Sequence, residues 1–592
     1  MRQQHKFSGW RIASLTSGVA VAGYLMFAPG GTQPVPASLG LGQAKVTAQP
    51  SGSILGRSFN VPVGTGAAAT VHTGAIPEPS AAKQAAREAH EEARERAFRA
   101  RAAMLPASDP NIQAQAAPPI GAANVRTVAD LSSQATPGPQ ADGSIAVFRA
   151  TAIDPPAGFA SSVGEPAAAQ NGRFVFQTWN WFAARSANGG AGFALIDPDT
   201  YGPGMPDFCC DQDVIYDKGK DRFHWLRMGI GNVNGGSGGT SGNRILINVS
   251  PDAFATNSCF ADIRPSLFGL SNAFMDYPRL ALSNNYIYMS LNIFSFVGGS
   301  IGGYQTHILA RFDLNNLGGC TSLTGNFWNF PGGWSPTLVE NAREIMYMGD
   351  HIITSSTLNS TFRNYWIFDD DSTLNFVDRT ISPWLFTQGN ASCPVPGGAN
   401  PCARADHRII GAVVEHNTPL PGNLGSAGDK VDYFWNVRAG NGFPLPYVDN
   451  ASFHGSSITY LQRNLLAYNN LTPWYAAAGA NDRSHVGLSM WGFYPVASGI
   501  QPQMIFGIDD DFNGNPASTG WELWQLGTTN SNANWGANSS GDYLRSRSHN
   551  PTGTGWILTG MRRDAAQAEF QPTYSVWGRG RDINAFNRFD QQ

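Results

Sequence analysis

Six stretches of this 592-residue chain place an acid, and an Arg or second acid within three residues of it, just ahead of a short apolar run. They are Asp211–Asp213, Asp276–Arg279, Glu340–Arg343, Asp406–Arg408, Asp482–Arg483 and Asp542–Arg545. Two carboxylates held at a defined separation can hydrolyse a glycosidic bond. A His or Tyr base beside an Arg that neutralises a uronate can instead drive elimination. The candidate catalytic residues are therefore Asp276, Asp406, His407, Asp482, His485, Asp542 and Tyr543, with Tyr277 as a further base. Arg279, Arg343, Arg408, Arg483 and Arg545 are the candidate anion ligands, because a planar guanidinium grips a carboxylate through two parallel hydrogen bonds. The competing structural reading is that each acid satisfies a neighbouring Arg and ties one repeat to the next.

Positioning these groups requires a repeated element. The openings recur at roughly 60 to 75 residues, a period that insertions stretch beyond that of a typical propeller blade. Phe174–Phe182 adds a blade without the opening, so the sequence predicts an all-β, seven-bladed propeller over 143–580, with 581–592 as a tail. Six or eight blades fit the same spacing. Equivalent positions in such a ring share one radius, so the openings are expected to line one end of the channel. Tyr574–Trp577 is placed to pair with Ser144–Arg149 and close the ring from both chain ends. Charged residues are only 14% of the chain and the net charge is −4, which argues against nucleic acid as a partner.

Ser186, Asn188, Gly190 and Gly192 are spaced like the Asp-box hairpin turn of sialidase-type propellers, with Asn188 in place of Asp and Gly192 in place of Thr. Glu165-Pro166, Asn180–Ala184, Asn188–Gly190 and Phe208–Asp213 together resemble secreted bacterial sialidase-like propellers of the BNR type, a family without an assigned function. The resemblance implies a fold and carries over no active site; no Tyr–Glu nucleophile pair of a sialidase is identifiable. Rims of aromatic, Asn and Arg side chains suit sugars and their acidic substituents, so the expected partner is an extracellular polysaccharide or glycoconjugate, bound with cleavage left open. The alternative is a non-catalytic surface or adhesion module.

Residues 1–37 run from basic to apolar to small, the order of a secretory signal; an uncleaved anchor would be the chain's one membrane contact. Residues 38–142 read as a low-complexity linker with a solvated helix near 80–104. The cysteines are even in number, which suits an oxidising compartment. Cys393 and Cys402 bracket a turn-rich loop and are expected to pair. Cys209 and Cys210 are expected to bond separately to Cys259 and Cys320, the bridge between neighbours being the strained option. Asp509, Asp511 and Asn513 match the first half of a calcium loop, although Gly520 at the twelfth position excludes an EF-hand; an acidic turn is the competing reading, and no other cofactor is indicated.

Overall fold

The computed structural model describes residues 46–65, scattered positions between 85 and 100, 103–130 apart from 118 and 128, 143–154, and 164–230 apart from 203 and 206. It continues through 242–396 apart from 257, 299, 331 and 332, then 400–419, 427–510, 521–526, 544–563 and 570–590. Their strands form seven sheets, the blades of one propeller, antiparallel except where Val125–Thr127 and Ala129–Asp130 join blades 6 and 7 in parallel. The innermost strands, in blade order, are Ala167–Asn171, Phe208–Asp217, Ala273–Leu282, Thr337–Leu338, Ile409–Pro419, Thr472–Ala480 and Arg545–Ser548. They contact one another around a closed ring. Each begins at what we call the upstream mouth of the channel and ends at the downstream mouth. Blade 7 closes as expected: Ile145–Ala152 pairs with Phe570–Arg579, with Trp577 opposite Val147 and Tyr574 opposite Thr151.

Packing between blades explains the Trp- and Phe-rich composition. Phe506 of blade 6 stacks on Trp577 of blade 7 at 4.9 Å, and Trp577 on Trp556 at 4.7 Å. Phe176 of blade 1 meets Trp225 of blade 2 at 4.8 Å. Such pairs add specific geometry to the area they bury. At the axis the inner strands come so close that a Cβ on Gly411 would lie 2.4 Å from Ala476 O, and one on Gly479 2.1 Å from Ser546 O. Only glycine fits there.

The turn at Ser186 has the expected bonds: Ser186 Oγ accepts from Gly190 N at 2.9 Å and Asn188 Oδ1 from Gly192 N at 3.0 Å. Ser250–Thr256 in blade 2 repeats the pattern, with Phe254 N to Ser250 Oγ and Thr256 N to Asp252 Oδ1 both at 2.9 Å.

Two features depart from expectation. Parts of the segment read as linker are strands: Gly52–Leu55, Arg57–Val61 and Val63–Gly64 add a fifth strand to blades 4, 3 and 2, and Val125–Thr127 and Ala129–Asp130 extend blades 6 and 7. Each covers a sheet edge that would otherwise expose unpaired backbone. The described positions between 85 and 100 are helical, with Arg96 reaching Glu92 at 3.3 Å. Residues 581–592, read as a tail, contribute the helix Ile583–Asp590, whose Phe586 is buried beside Phe148. The second departure is in the cysteines. Cys393 bonds Cys402 as expected, but Cys209 bonds Cys210 and Cys259 bonds Cys320. The neighbour bridge is accommodated by a bulge in which Cys210 takes φ 61°.

No helix among the described residues is long and apolar enough to cross a membrane. The expected signal or anchor, 1–37, lies outside them.

Candidate functional site

The six openings do not form one ring. Ile345–Ile352 and Val486–Phe493 are second strands of their blades, so Glu340, Arg343, Asp482 and Arg483 follow an inner strand and lie toward the downstream mouth. Asp276, Asp406 and Arg408 lie near the start of inner strands, at the upstream end. Antiparallel neighbours start at opposite ends of a sheet, and a short apolar run does not reveal whether it is first or second.

The upstream end is closed. Asp276, Tyr277, Asp406, His407 and Arg408 are all buried. Arg408 Nε lies 2.6 Å from Asp406 Oδ2, and the guanidinium sits over the Tyr277 ring at 4.2 Å. His407 is packed in an aromatic cage, 4.7 Å from Phe386 and 5.6 Å from Trp334 between ring centroids. Over them the loop stapled by Cys393–Cys402 puts Ala391, Val395 and Ala405 into one apolar cluster with Trp179, Phe182, Trp474 and Leu544 of blades 1, 6 and 7.

Mid-channel charges satisfy one another. Asp213, fully buried, receives Arg545 Nη2 at 2.8 Å, Arg547 Nη2 at 3.2 Å, and the backbone N–H groups of Leu280 and Val214, each at 2.9 Å. Burial alone would raise its carboxyl; the guanidiniums of Arg545 and Arg547 outweigh that and hold it at about 2. Arg547 also reaches Glu340 at 3.4 Å. Arg279 donates to Ile410 O at 2.7 Å, Ile409 O at 3.3 Å and Thr337 Oγ1 at 3.2 Å, linking blades 3, 4 and 5. Burial, aided by the like charge of Arg545, lowers it to about 10. These arginines act as ties between blades.

The remaining candidates scatter. Arg483 pairs with Asp582 at 3.0 Å, and the backbone N–H of His485 donates to Asn481 Oδ1 at 3.1 Å. Asp509 is 3.8 Å from the ammonium of Lys430, which also contacts Glu415 at 2.6 Å and Asp432 at 3.4 Å. No group of metal-binding side chains occurs among the described residues, which include Asp509 but not the other two residues of the expected calcium loop. Asp511, Asn513, Asp542 and Tyr543 lie outside the described residues.

The open site is the downstream mouth, a cavity of about 550 Å³. The downstream ends of the inner strands and the turns that follow them build it. Blade 1 contributes Gln170, blade 2 Tyr216, Asp217 and Lys218, blade 3 Asn284, blade 4 Asn341 and Arg343, and blade 7 Arg547 and Asn550. Lys218 bonds Asp482 at 2.7 Å across the mouth. Asp217 Oδ1 accepts from the amides of Gly219 at 2.8 Å and Lys220 at 3.1 Å, while burial raises its carboxyl. Tyr216 donates to Asp221 at 2.8 Å, and burial followed by that bond raises its phenol. Arg343 is exposed and makes no ion pair among the described residues. Of the described sequence candidates, only Arg343 and Asp482 line this cavity. Gln170, inside an inner strand, was missed without a signal; Lys218, Asn284, Asn341 and Asn550 were missed although their place in a polar turn after a strand is a usable signal.

No protein-family model and no curated protein matches the chain. Among solved structures, a sialidase from Streptococcus pneumoniae is 10% identical over 57% of this chain and 67% of its own, with a TM-score of 0.35. A protein of unknown function from Dyadobacter fermentans is 11% identical over 62% and 93%, with a TM-score of 0.34. An α-L-arabinanase from Penicillium chrysogenum is 10% identical over 60% and 89%, with a TM-score of 0.31. Values this low carry no argument about activity, and the functional reading rests on the downstream cavity.

Proposed function

We propose that the protein is an exported propeller that binds an acid-bearing saccharide at the downstream mouth without cleaving it. The observation that carries this is an exposed Arg343 set among the amides of Asn284, Asn341 and Asn550 in an open cavity. Its volume of about 550 Å³ falls in the range of small-ligand sites. Amides donate to and accept from sugar hydroxyls, and a guanidinium takes a carboxylate through two bonds. The upstream acids are buried, and Glu340 and Asp482 at the mouth are each paired with a cation. Export is supported by the signal-like start of the chain and by three disulfides. The test is retention on immobilised polygalacturonate against dextran, with Asn284→Trp filling the cavity. Retention of the wild type on polygalacturonate alone, lost in the variant, is expected; equal retention of the variant refutes the site.

One observation favours cleavage instead. Asp217 Oδ2 is buried without a hydrogen-bond partner among the described residues, and the raised carboxyl is the state a general acid needs. Release of reducing ends by the wild type, abolished in Asp217→Asn, would establish that second reading.

A further inference from the structure

Cys209 and Cys210 are bonded to each other inside the inner strand of blade 2, where the pairing jumps from Phe208 opposite Gly229 to Gln212 opposite Arg227. Cys209, Cys210 and Asp211 therefore face Met228 alone. A ladder that absorbs such a surplus bends, and the residues after it are re-aimed. Cys210 sits at φ 61°, which a residue with a side chain rarely holds without support. A bond between neighbouring sulfurs closes a small ring around that peptide and supplies the support.

The re-aimed residues are the hub of the ring. Gln212 donates to Phe182 O at 3.0 Å and to Trp179 O in blade 1, and accepts from Trp225 Nε1 at 2.8 Å. Asp213 accepts from Leu280 in blade 3 and from both arginines of blade 7. Through Arg547 the same carboxylate reaches Glu340 of blade 4, and both Arg547 and Glu340 line the downstream cavity.

We propose that the Cys209–Cys210 bond regulates the downstream cavity by fixing Asp213, and hence Arg547. The effect on ligand rests on the cavity's being the saccharide site. A dithiol reductant would break the sulfur–sulfur bond: each cysteine gains one electron and one proton, and the reductant closes its own disulfide. Without the ring, Cys210 loses one constraint on the left-handed conformation, which Tyr277 (φ 52°) and Tyr475 (φ 54°) hold at the corresponding inner-strand bulges of blades 3 and 6 without a disulfide. A slip of one residue in the ladder turns Asp213 to the opposite face and withdraws it from Arg545 and Arg547.

The experiment compares full-length wild type with the double variant Cys209→Ser, Cys210→Ser, and with Cys259→Ser, Cys320→Ser as the disulfide control. Hydrogen exchange is followed in peptides covering 208–217, 545–548 and, as a distant reference, 447–454. Exchange about tenfold faster at 208–217 and 545–548 in the first variant alone, with 447–454 unchanged, is the expected result. Trigalacturonate, the probe ligand, should bind that variant about tenfold more weakly than the wild type. Unchanged exchange at 545–548 overturns the proposal. Failure of trigalacturonate to bind oxidised wild type counts against the saccharide reading only, because the exchange result still decides whether the bond fixes Arg547. If the double variant does not fold, wild type reduced with dithiothreitol and alkylated at Cys209 and Cys210 replaces it, and unchanged exchange at 545–548 in that species is equally fatal.

Discussion

Replacing Asp213 with Asn keeps the side chain's shape and removes its charge. Arg545 and Arg547 then remain buried opposite a neutral amide, although in the native protein they lie 2.8 Å and 3.2 Å from a carboxylate. Leaving buried cations without their partner costs about 3–5 kcal/mol. The pH dependence checks that figure independently. The Asp213 carboxyl lies at about 2 when folded, against 3.8 ordinarily, and each unit is worth 1.36 kcal/mol, so its charge contributes about 2.4 kcal/mol. Because the folded value is depressed, that contribution is fully present above about pH 4 and is lost as pH falls through about 2. Chemical denaturation of wild type and Asp213→Asn, followed by tryptophan fluorescence from pH 7 down to pH 2, gives the difference directly. Effects of the other carboxylates cancel in it. The stability gap should be about 3–5 kcal/mol at pH 7 and shrink by about 2 kcal/mol on acidification. A gap below about 1 kcal/mol at pH 7, or one constant with pH, would show that the hub does not act as described.

Phe59, on the strand added to blade 3, packs edge-on against Phe268, Phe312 and Phe327 at 5.4 to 5.8 Å, so Phe59→Ala should cost about 3–5 kcal/mol in denaturant; an unchanged midpoint would return residues 46–64 to the status of a linker. Lys430→Met leaves Glu415, Asp432 and Asp509 without their ammonium, which should destabilise the protein strongly at pH 7 and less at pH 5, since burial already holds the Glu415 carboxyl well above its usual range and protonation relieves the repulsion. A penalty that grows on acidification would contradict this. If Asp509, Asp511 and Asn513 bind calcium, a chelator should lower the melting temperature of the wild type but not of Asp511→Ala; equal melting of the wild type with and without chelator would reduce the motif to an acidic turn.

The ring was legible because a propeller repeats its punctuation, and blade 7 could be closed on paper from Tyr574–Trp577 and Ser144–Arg149. The phase of each repeat was not legible. Val486–Gly487–Leu488 reads the same whether it is an inner strand or its neighbour, yet the choice moves Asp482 from one mouth to the other. The added strands were hidden by composition: an edge strand needs few apolar residues, and Ile54, Phe59 and Val61 are diluted by Gly, Pro and Ser. The second Asp-box-like turn escaped because Phe254, at φ 64°, stands where glycine is expected. Pairing the four remaining cysteines by spacing failed because the local bulge that admits a bond between neighbours is not visible in spacing. The cavity itself is made of strand ends and turns, which resemble those of any other hairpin until six blades bring them together.

The most direct test of the account is calorimetric titration of trigalacturonate into wild type and Arg343→Gln, with reducing ends and unsaturated uronate assayed in the same cell. Saturable binding by the wild type, a loss of about tenfold or more in Arg343→Gln for one charge-assisted contact, and no product from either protein are expected. Equal affinity in the two proteins, or product released by the wild type, would contradict it.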